Sequence, residues 1–435
     1  MSIFLHKEDS DNDQVIRTEL FSTERLDQHA RSLAEAQAVS ARAPRRRSLR
    51  KKMRENSAIL VTAFRAIARS AQFHRPITPA GEWFLDNFHI VEDQVREAKH
   101  DLPDDYYNEL PQLADGPLAG YPRVYGIAWA LVAHSDSGFD EARISRFVKA
   151  YQQVQPLTIG ELWAIAITLR IILVENLARL ARGIVQRGLV ADEADIIADR
   201  VLGVKGREAE PARSVIADMP SGRLSAPFIA RLEQRLRDQD ANAGTMLRWV
   251  DEHNAGCGTS TEQIIRDEYH NQGATNVTVR NVITSMKLLS AIDWTEFVEE
   301  VSLVDGVLRQ GSAFAAMDFS TRDRYRRAIE TLARHAPLDE IAVARAVIRQ
   351  TKSVPNGDNA PRLRDPGYYL ISGGARAFEA QIGYRPTFAQ RLRRAIAITG
   401  LGGYVGAILA ASAALLVLMG CIMVPQLMGW QLVAL

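Results

Sequence analysis

The sequence predicts an all-α protein: a multi-helix bundle followed by an apolar segment able to cross a membrane. Three observations carry this. Apolar residues recur at spacings of three and four through most of the chain, alternating strand patterns bounded by hairpin turns are nearly absent, and no charged residue occurs from Ala395 to Leu435. A chain of 435 residues has room for roughly two or three domains of about 100–200 residues each. Its 47% hydrophobic and 24% charged residues argue against wholesale disorder and against a multi-span membrane protein. A net charge of +1 lacks the basic excess of a polyanion binder, so no nucleic-acid partner is expected and any basic site must be local. Two cysteines far apart in sequence, Cys257 and Cys421, argue against a disulfide framework and against a cysteine metal site, and a reducing compartment is the simplest reading.

Taken in order, the amino terminus MSIFLHKEDSDNDQVIRTEL places acidic residues where an export signal needs positive charge. Residues 1–56 read as a polar and basic segment. Its stretch ARAPRRRSLRKKMREN, Ala41 to Asn56, is a solvated face or linker, or else a contact with anionic lipid, where each basic residue contributes about 1 kcal/mol. Residues 57–350 read as the α-helical domain. In TPAGEWFLDNFHIVEDQVREAKHD, Thr78 suits an N-cap and Pro79 the first helical position. Phe84, Phe88, Val91 and Val95 then make an apolar stripe, and Glu82, Asp86, His89, Asp93 and Arg96 a polar one.

LTIGELWAIAITLRIILVENLARLARGIV opens with Thr158 and Glu161 at capping-box spacing and is apolar on nearly every side. Glu161, Arg170 and Glu175 bound a run too short for a bilayer, so this is predicted to be the central helix of a bundle. Further helix starts are predicted at Ser260 with Gln263, at Asp293 with Glu296, and in PLDEIAVARAVIRQ. Loops are expected at Pro103, from Pro111 to Pro122, around Gly138, at Pro156 and from Asp251 to Ser260. Residues 351–394 read as a linker with room for a strand or two. Residues 395–435 read as the transmembrane segment, with one crossing from near Leu401. There Gly402, Gly406 and Ala410 have the spacing of packed membrane helices, and Pro425 and Gly429 could mark a turn toward a second crossing. Arg385, Arg391, Arg393 and Arg394 precede it, which predicts a cytoplasmic location for residues 1–394 and a membrane-anchoring role for the last three arginines.

The residue constellations that could carry chemistry are weak. Asp86 with His89 and Asp267 with His270 have a helical carboxylate–histidine spacing seen in dinuclear sites, but the further carboxylate helices are lacking and a polar face is the simpler reading. Asp251, Glu252 and His253 read as a solvated helix end. Gly373 and Gly374 before Arg376 lack the lysine and leading strand of a phosphate loop. The glycosylation triplet from Asn276 to Thr278 has no meaning in the cytoplasm, and Asp11–Asn12–Asp13 has no strand in front of it. No catalytic, cofactor-binding or metal-ligating residue is assigned.

Several long stretches nevertheless have a family likeness. They are GEWFLDNFHIVEDQVREAKHDLPDDYYNELPQL, GYPRVYGIAWALVAHSDSGFD, NVITSMKLLSAIDWTEFVEEVSLVDGVLR, MDFSTRDRYRRAIETLAR and GYYLISGGARAFEAQIGYRP. From about residue 50 to 390 the chain resembles the amino-terminal region of bacterial cyclic β-1,2-glucan synthases. The resemblance implies a large inner-membrane glycosyltransferase, with this chain its cytoplasmic region and first membrane segment. A domain using UDP-glucose and a divalent metal is then expected beyond Leu435. The Asp-x-Asp and Gln-x-x-Arg-Trp motifs of such a domain have no match here, so the chain is expected to bind neither group and to be inactive alone. Expected partners are the membrane, the downstream transferase domain and the growing β-1,2-glucan. For glucan contact the aromatic candidates are Trp83, Tyr106, Tyr107, Tyr121 and Tyr125. The alternative is a self-standing, membrane-anchored helical adaptor from a truncated gene.

Overall fold

The computed structural model describes residues 15–40, 47–100, 107, 109–204, 208–220, 222–355, 360–387, 390, 391 and 394, with scattered positions between 405 and 419. The chain divides into two compact units, Met1–Leu303 and Val304–Leu435. Its architecture is all-α, as predicted. Among the described residues the only paired strands are β1 (Val39–Ser40) and β2 (Gln112–Leu113), antiparallel with Val39 opposite Leu113.

The first unit contains α1 (Thr23–Ala36), α2 (Leu49–Gln72), α3 (Pro79–Asp86), α4 (Phe88–His100), α5 (Arg123–His134) and α6 (Glu141–Gln152). It continues through α7 (Ile159–Leu202), α8 (Ala212–Ala217), α9 (Ala226–Leu236), α10 (Ala241–Gly256), α11 (Thr261–Ala291) and α12 (Trp294–Val301). The axis of the unit is α7, whose 44 residues make a rod about 66 Å long. Thr158 Oγ1 accepts the Glu161 amide at 3.2 Å while Glu161 Oε2 accepts the Thr158 amide at 2.9 Å, so the predicted capping box is formed. The far end stops at Gly203, whose φ of +69° suits a left-handed helix cap.

From Ile159 to Ala181 nearly every side chain of α7 is buried, which bears out the reading of a bundle centre. Each buried leucine or isoleucine there contributes about 1.5–3 kcal/mol through lost water contact. Beyond Ile184 only one stripe is buried, Val190, Ala194, Ala198 and Val201, and it packs with α8, α9 and α10 residues such as Val215, Phe228 and Met246 in a second core. The polar residues of the buried half are all partnered. Arg170 donates to Gln94 Oε1 at 3.1 Å and faces Glu97 at 3.1 Å, and Asn176 accepts the Ile16 amide at 2.7 Å and donates to Ser137 Oγ at 2.9 Å.

The second unit holds α13 (Leu303–Gly311), α14 (Phe319–Arg334) and α15 (Glu340–Lys352), then α16 (Ala360–Leu363), α17 (Pro366–Ile371) and α18 (Ala375–Gln381). Its inner side chains include Leu308, Phe314, Ile329, Val343, Val347 and Phe378.

Three expectations are corrected. The amphipathic stretch from Pro79 to His100 is two helices, because Asn87 leaves helical geometry and its side-chain amide donates to the Trp83 carbonyl at 2.9 Å, competing with the backbone ladder. The loop expected from Asp251 starts only after Gly256, since α10 runs on through the charged residues. Residues 360–381 carry three short helices rather than strands, one of them capped by Asp365 with Pro366 at its first position. The starts at Thr78, Ser260, Asp293 and Asp339 each show the expected side-chain cap.

Among the described residues no helix is long and apolar enough to cross a membrane. The crossing expected from near Leu401 lies mostly outside the described residues. The positions described there are helical, and Val405, Ile408, Leu409, Leu415, Leu416 and Met419 are exposed.

Candidate functional site

A cavity of about 750 Å³ opens in the first unit at the start of α2. One wall is the first turns of α2, with Ser48, Lys51, Lys52, Glu55, Asn56 and Ile59; the other is α7, with Glu175, Ala178, Arg179 and Arg182. Tyr121, just before α5, closes one end together with Arg47. The spacings on α2 and α7 are the threes, fours and sevens of single helical faces, so two helix faces meet in one trough.

Glu175, 2% exposed, organises the floor. It takes the Lys52 ammonium at 2.9 Å, the Tyr125 hydroxyl at 2.6 Å and the guanidinium of Arg179. Burial first, and then the Glu175 charge, push the Tyr125 phenol far above the ordinary tyrosine range, so it remains a neutral donor. The rings of Tyr121 and Tyr125 stack at 4.4 Å, and Lys52 and Arg47 each lie 5.2 Å from the Tyr121 ring centre. Arg47 also donates to the Pro117 carbonyl at 3.2 Å. Asn56 Nδ2 is buried at the edge of the trough with no hydrogen-bond partner among the described residues.

Of the aromatic candidates, the structure brings Tyr121 and Tyr125 together at this trough. Tyr107 is buried elsewhere, and Tyr106 lies outside the described residues. Trp83, 36% exposed on α3, has the Arg280 guanidinium 5.8 Å from its ring centre. Of the anchoring arginines, Arg391 is exposed, Arg393 lies outside the described residues, and Arg394 is clamped by Glu379 at 2.6 and 2.8 Å.

The weaker constellations find structural employment. The break at Asn87 puts Asp86 and His89 on different helices, and among the described residues no group of three or more histidine, cysteine or carboxylate side chains is placed to hold a metal. Gly374 is where a side chain would strike the Tyr368 ring at 2.6 Å, so the glycine pair makes room for a tyrosine. Thr278 is buried and donates to Asp136 Oδ1 at 2.7 Å. Asp11–Asn12–Asp13 lies outside the described residues.

Sequence reasoning did not pick out the trough itself. Its basic half lay within the segment Ala41–Asn56, but Arg179 and Arg182 sit on a helix read for its apolar run, and only folding sets them opposite Lys51 and Lys52.

Fold and site together describe an all-α chain with a cationic trough set into its first unit. No model of a known protein family matches the chain. It is 31% identical over 389 residues to the cyclic beta-(1,2)-glucan synthase NdvB of Rhizobium meliloti (strain 1021), an alignment that takes in 89% of this chain. The chain spans 14% of that relative's length. This match bears out the resemblance carried by the sequence stretches above.

Proposed function

We propose that this chain is the amino-terminal part of a membrane-bound cyclic β-1,2-glucan synthase, an enzyme that polymerises and cyclises glucose from UDP-glucose. Within it the chain is a cytoplasmic scaffold or regulatory region and a membrane anchor, and the transferase chemistry belongs to a domain outside these residues. UDP-glucose and a divalent metal are then ligands of that other domain, and the partners of this chain are the transferase domain, the membrane and the growing glucan. The observation that carries the reading is the 31% identity maintained over 389 residues.

The anchor is supported by the uncharged run from Ala395 to Leu435 and by the apolar side chains exposed at the described helical positions within it, which water disfavours and hydrocarbon accommodates. Arg391, Arg393 and Arg394 then stay on the inner side. A scaffold role is supported by α7, a single helix whose buried residues belong to two hydrophobic cores. The test is an in-frame chromosomal deletion of the codons for residues 57–350, followed by measurement of cyclic β-1,2-glucan in cell extracts. The reading expects its loss, and an undiminished glucan pool contradicts it.

A further inference from the structure

Another cavity of the first unit, about 480 Å³ in volume, opens where the end of α2, the segment Arg75–Pro79, α7, α9 and α11 converge. Its lining is largely apolar. Ile67, Ile184 and Ala230 are the buried part of it, and Ile77, Leu189 and Pro227 extend the same surface outward. Leu189 and Tyr269 stay 46% and 53% exposed there, an arrangement that water disfavours. Gly188 on the α7 wall has no atom within 4 Å of where a Cβ would stand, so the helix leaves this space open.

The polar groups around the cavity are mostly engaged with one another. Asp192 takes the Arg75 guanidinium, and Asp195 takes Arg231 at 2.8 and 2.9 Å. Arg187 faces the buried Glu268 at 3.4 Å, Gln272 donates to the same carboxylate at 2.9 Å, and Gln234 accepts from Arg231 at 3.0 Å. Arg69 differs. It is exposed in the last turn of α2, and its guanidinium has no carboxylate partner among the described residues. The negative end of the α2 dipole tempers that charge without pairing its fork of donors.

This pattern selects a ligand. A sugar is disfavoured, because its hydroxyls would have to compete for side chains already bonded to each other. A polyvalent anion is disfavoured too, since the other three arginines of the lining face carboxylates. We propose that the cavity binds a single-chain amphiphilic carboxylate, its head in the fork of Arg69 and its hydrocarbon against Ile67, Ile184 and Leu189. A guanidinium and a carboxylate match in a bidentate contact, and the volume falls in the range of about 300–1,000 Å³ usual for small-molecule sites. The inference is independent of the glucan-synthase reading.

The test is photolabelling of the full chain, kept in neutral detergent, with a diazirine-bearing decanoic acid, followed by peptide mapping in a mass spectrometer. Mapping separates the cavity from detergent-covered surface. The expected label falls on peptides containing Ala66–Pro79 and Ile184–Asp195 and is displaced by unlabelled decanoate. Gly188→Leu, which fills the cavity from a helical position with open space around it, should cut that label at least about tenfold, whereas Gly188→Ala should keep it. Arg69→Gln should need about tenfold more probe for half-maximal label, while a probe with a neutral amide head labels it and wild type alike. Unchanged unfolding transitions confirm that the variants fold. Label spread evenly over the chain, label confined to residues 395–435, or cavity label that survives Gly188→Leu overturns the site. Equal response of the acid and amide probes to Arg69→Gln overturns the assignment of a carboxylate.

Discussion

Arg326 grips Asp305 through two parallel hydrogen bonds, Nε to Oδ1 at 3.0 Å and Nη2 to Oδ2 at 2.6 Å, with 1% and 0% of the two side chains exposed. The pair joins α14 to α13 inside the second unit, and the guanidinium also lies 5.8 and 5.6 Å from the ring centres of Phe314 and Phe319. Removing one partner of a buried pair leaves an uncompensated charge, which costs far more than removing both. Asp305→Ala is therefore expected to lower the stability of residues 304–435 by about 3–5 kcal/mol, and Asp305→Leu/Arg326→Met by less. Native-state hydrogen exchange of the α14 amides reports both values. A double variant at least as unstable as the single would contradict the account.

Glu161 is asked to do two things at once. It closes the capping box of α7 on Thr158 and accepts the Arg123 guanidinium at 2.8 and 2.6 Å, which ties the start of α5 to the start of α7. Glu161→Ala removes both, with an expected loss of about 3–5 kcal/mol in urea unfolding. Glu161→Gln retains an acceptor but no charge and is expected to fall between the alanine variant and wild type. Equal stability of the Gln variant and wild type would show that the charge contributes nothing.

Two glycines are predicted to respond in opposite directions to alanine. Gly203 has φ of +69°, and an added Cβ would stand 2.6 Å from the Ala209 amide nitrogen, a backbone atom that cannot swing aside. Gly203→Ala should therefore destabilise by more than about 1 kcal/mol. Gly273 lies within α11 with nothing within 4 Å of its added Cβ, so Gly273→Ala should stabilise by about 0.5–1 kcal/mol. Thermal unfolding of the two variants checks the signs.

A histidine cluster gives the first unit a pH dependence. His29 lies 4.5 Å from His134 and 5.4 Å from Phe21, ring centre to ring centre, while Phe21 stacks on His134 at 4.0 Å. Burial, and then the neighbouring His134, hold the His29 imidazole below the ordinary histidine range. The unfolded chain therefore takes up the proton first, so the contribution is intact above about pH 6.5 and is lost as pH falls below it toward the depressed native value. His29→Gln should lose less stability than wild type between about pH 7 and about pH 5.5. Parallel pH profiles for the two proteins would show that His29 does not titrate in this way.

The fold class and most helix starts were legible because they are local. Thr158 with Glu161, Thr78 with Pro79, and Ser260 with Gln263 specify caps through neighbours three residues away. What was not legible was long-range. Asp136 and Ser137 adopt positive φ of 48° and 62° in the turn after α5, and are held by Thr278, Asn281 and Ser285 from α11 and by Asn176 from α7. Nothing in the stretch HSDSG announces those partners, which lie between 39 and 148 residues away. The trough was hidden for the same reason, since its two basic walls come from helices more than a hundred positions apart in sequence. The break at Asn87 was missed because the apolar stripe continues across it, and only the side-chain bond to Trp83 reveals the competition.

The central claim, that these helices are a non-transferase part on which glucan synthesis depends, is tested most directly by labelled-glucose incorporation from UDP-glucose into cyclic glucan in isolated inner membranes. Membranes bearing the enzyme without residues 57–350 would be compared with wild type at equal protein abundance, which separates synthesis from export. The account predicts that incorporation collapses in the deleted form. Incorporation at the wild-type rate would contradict it.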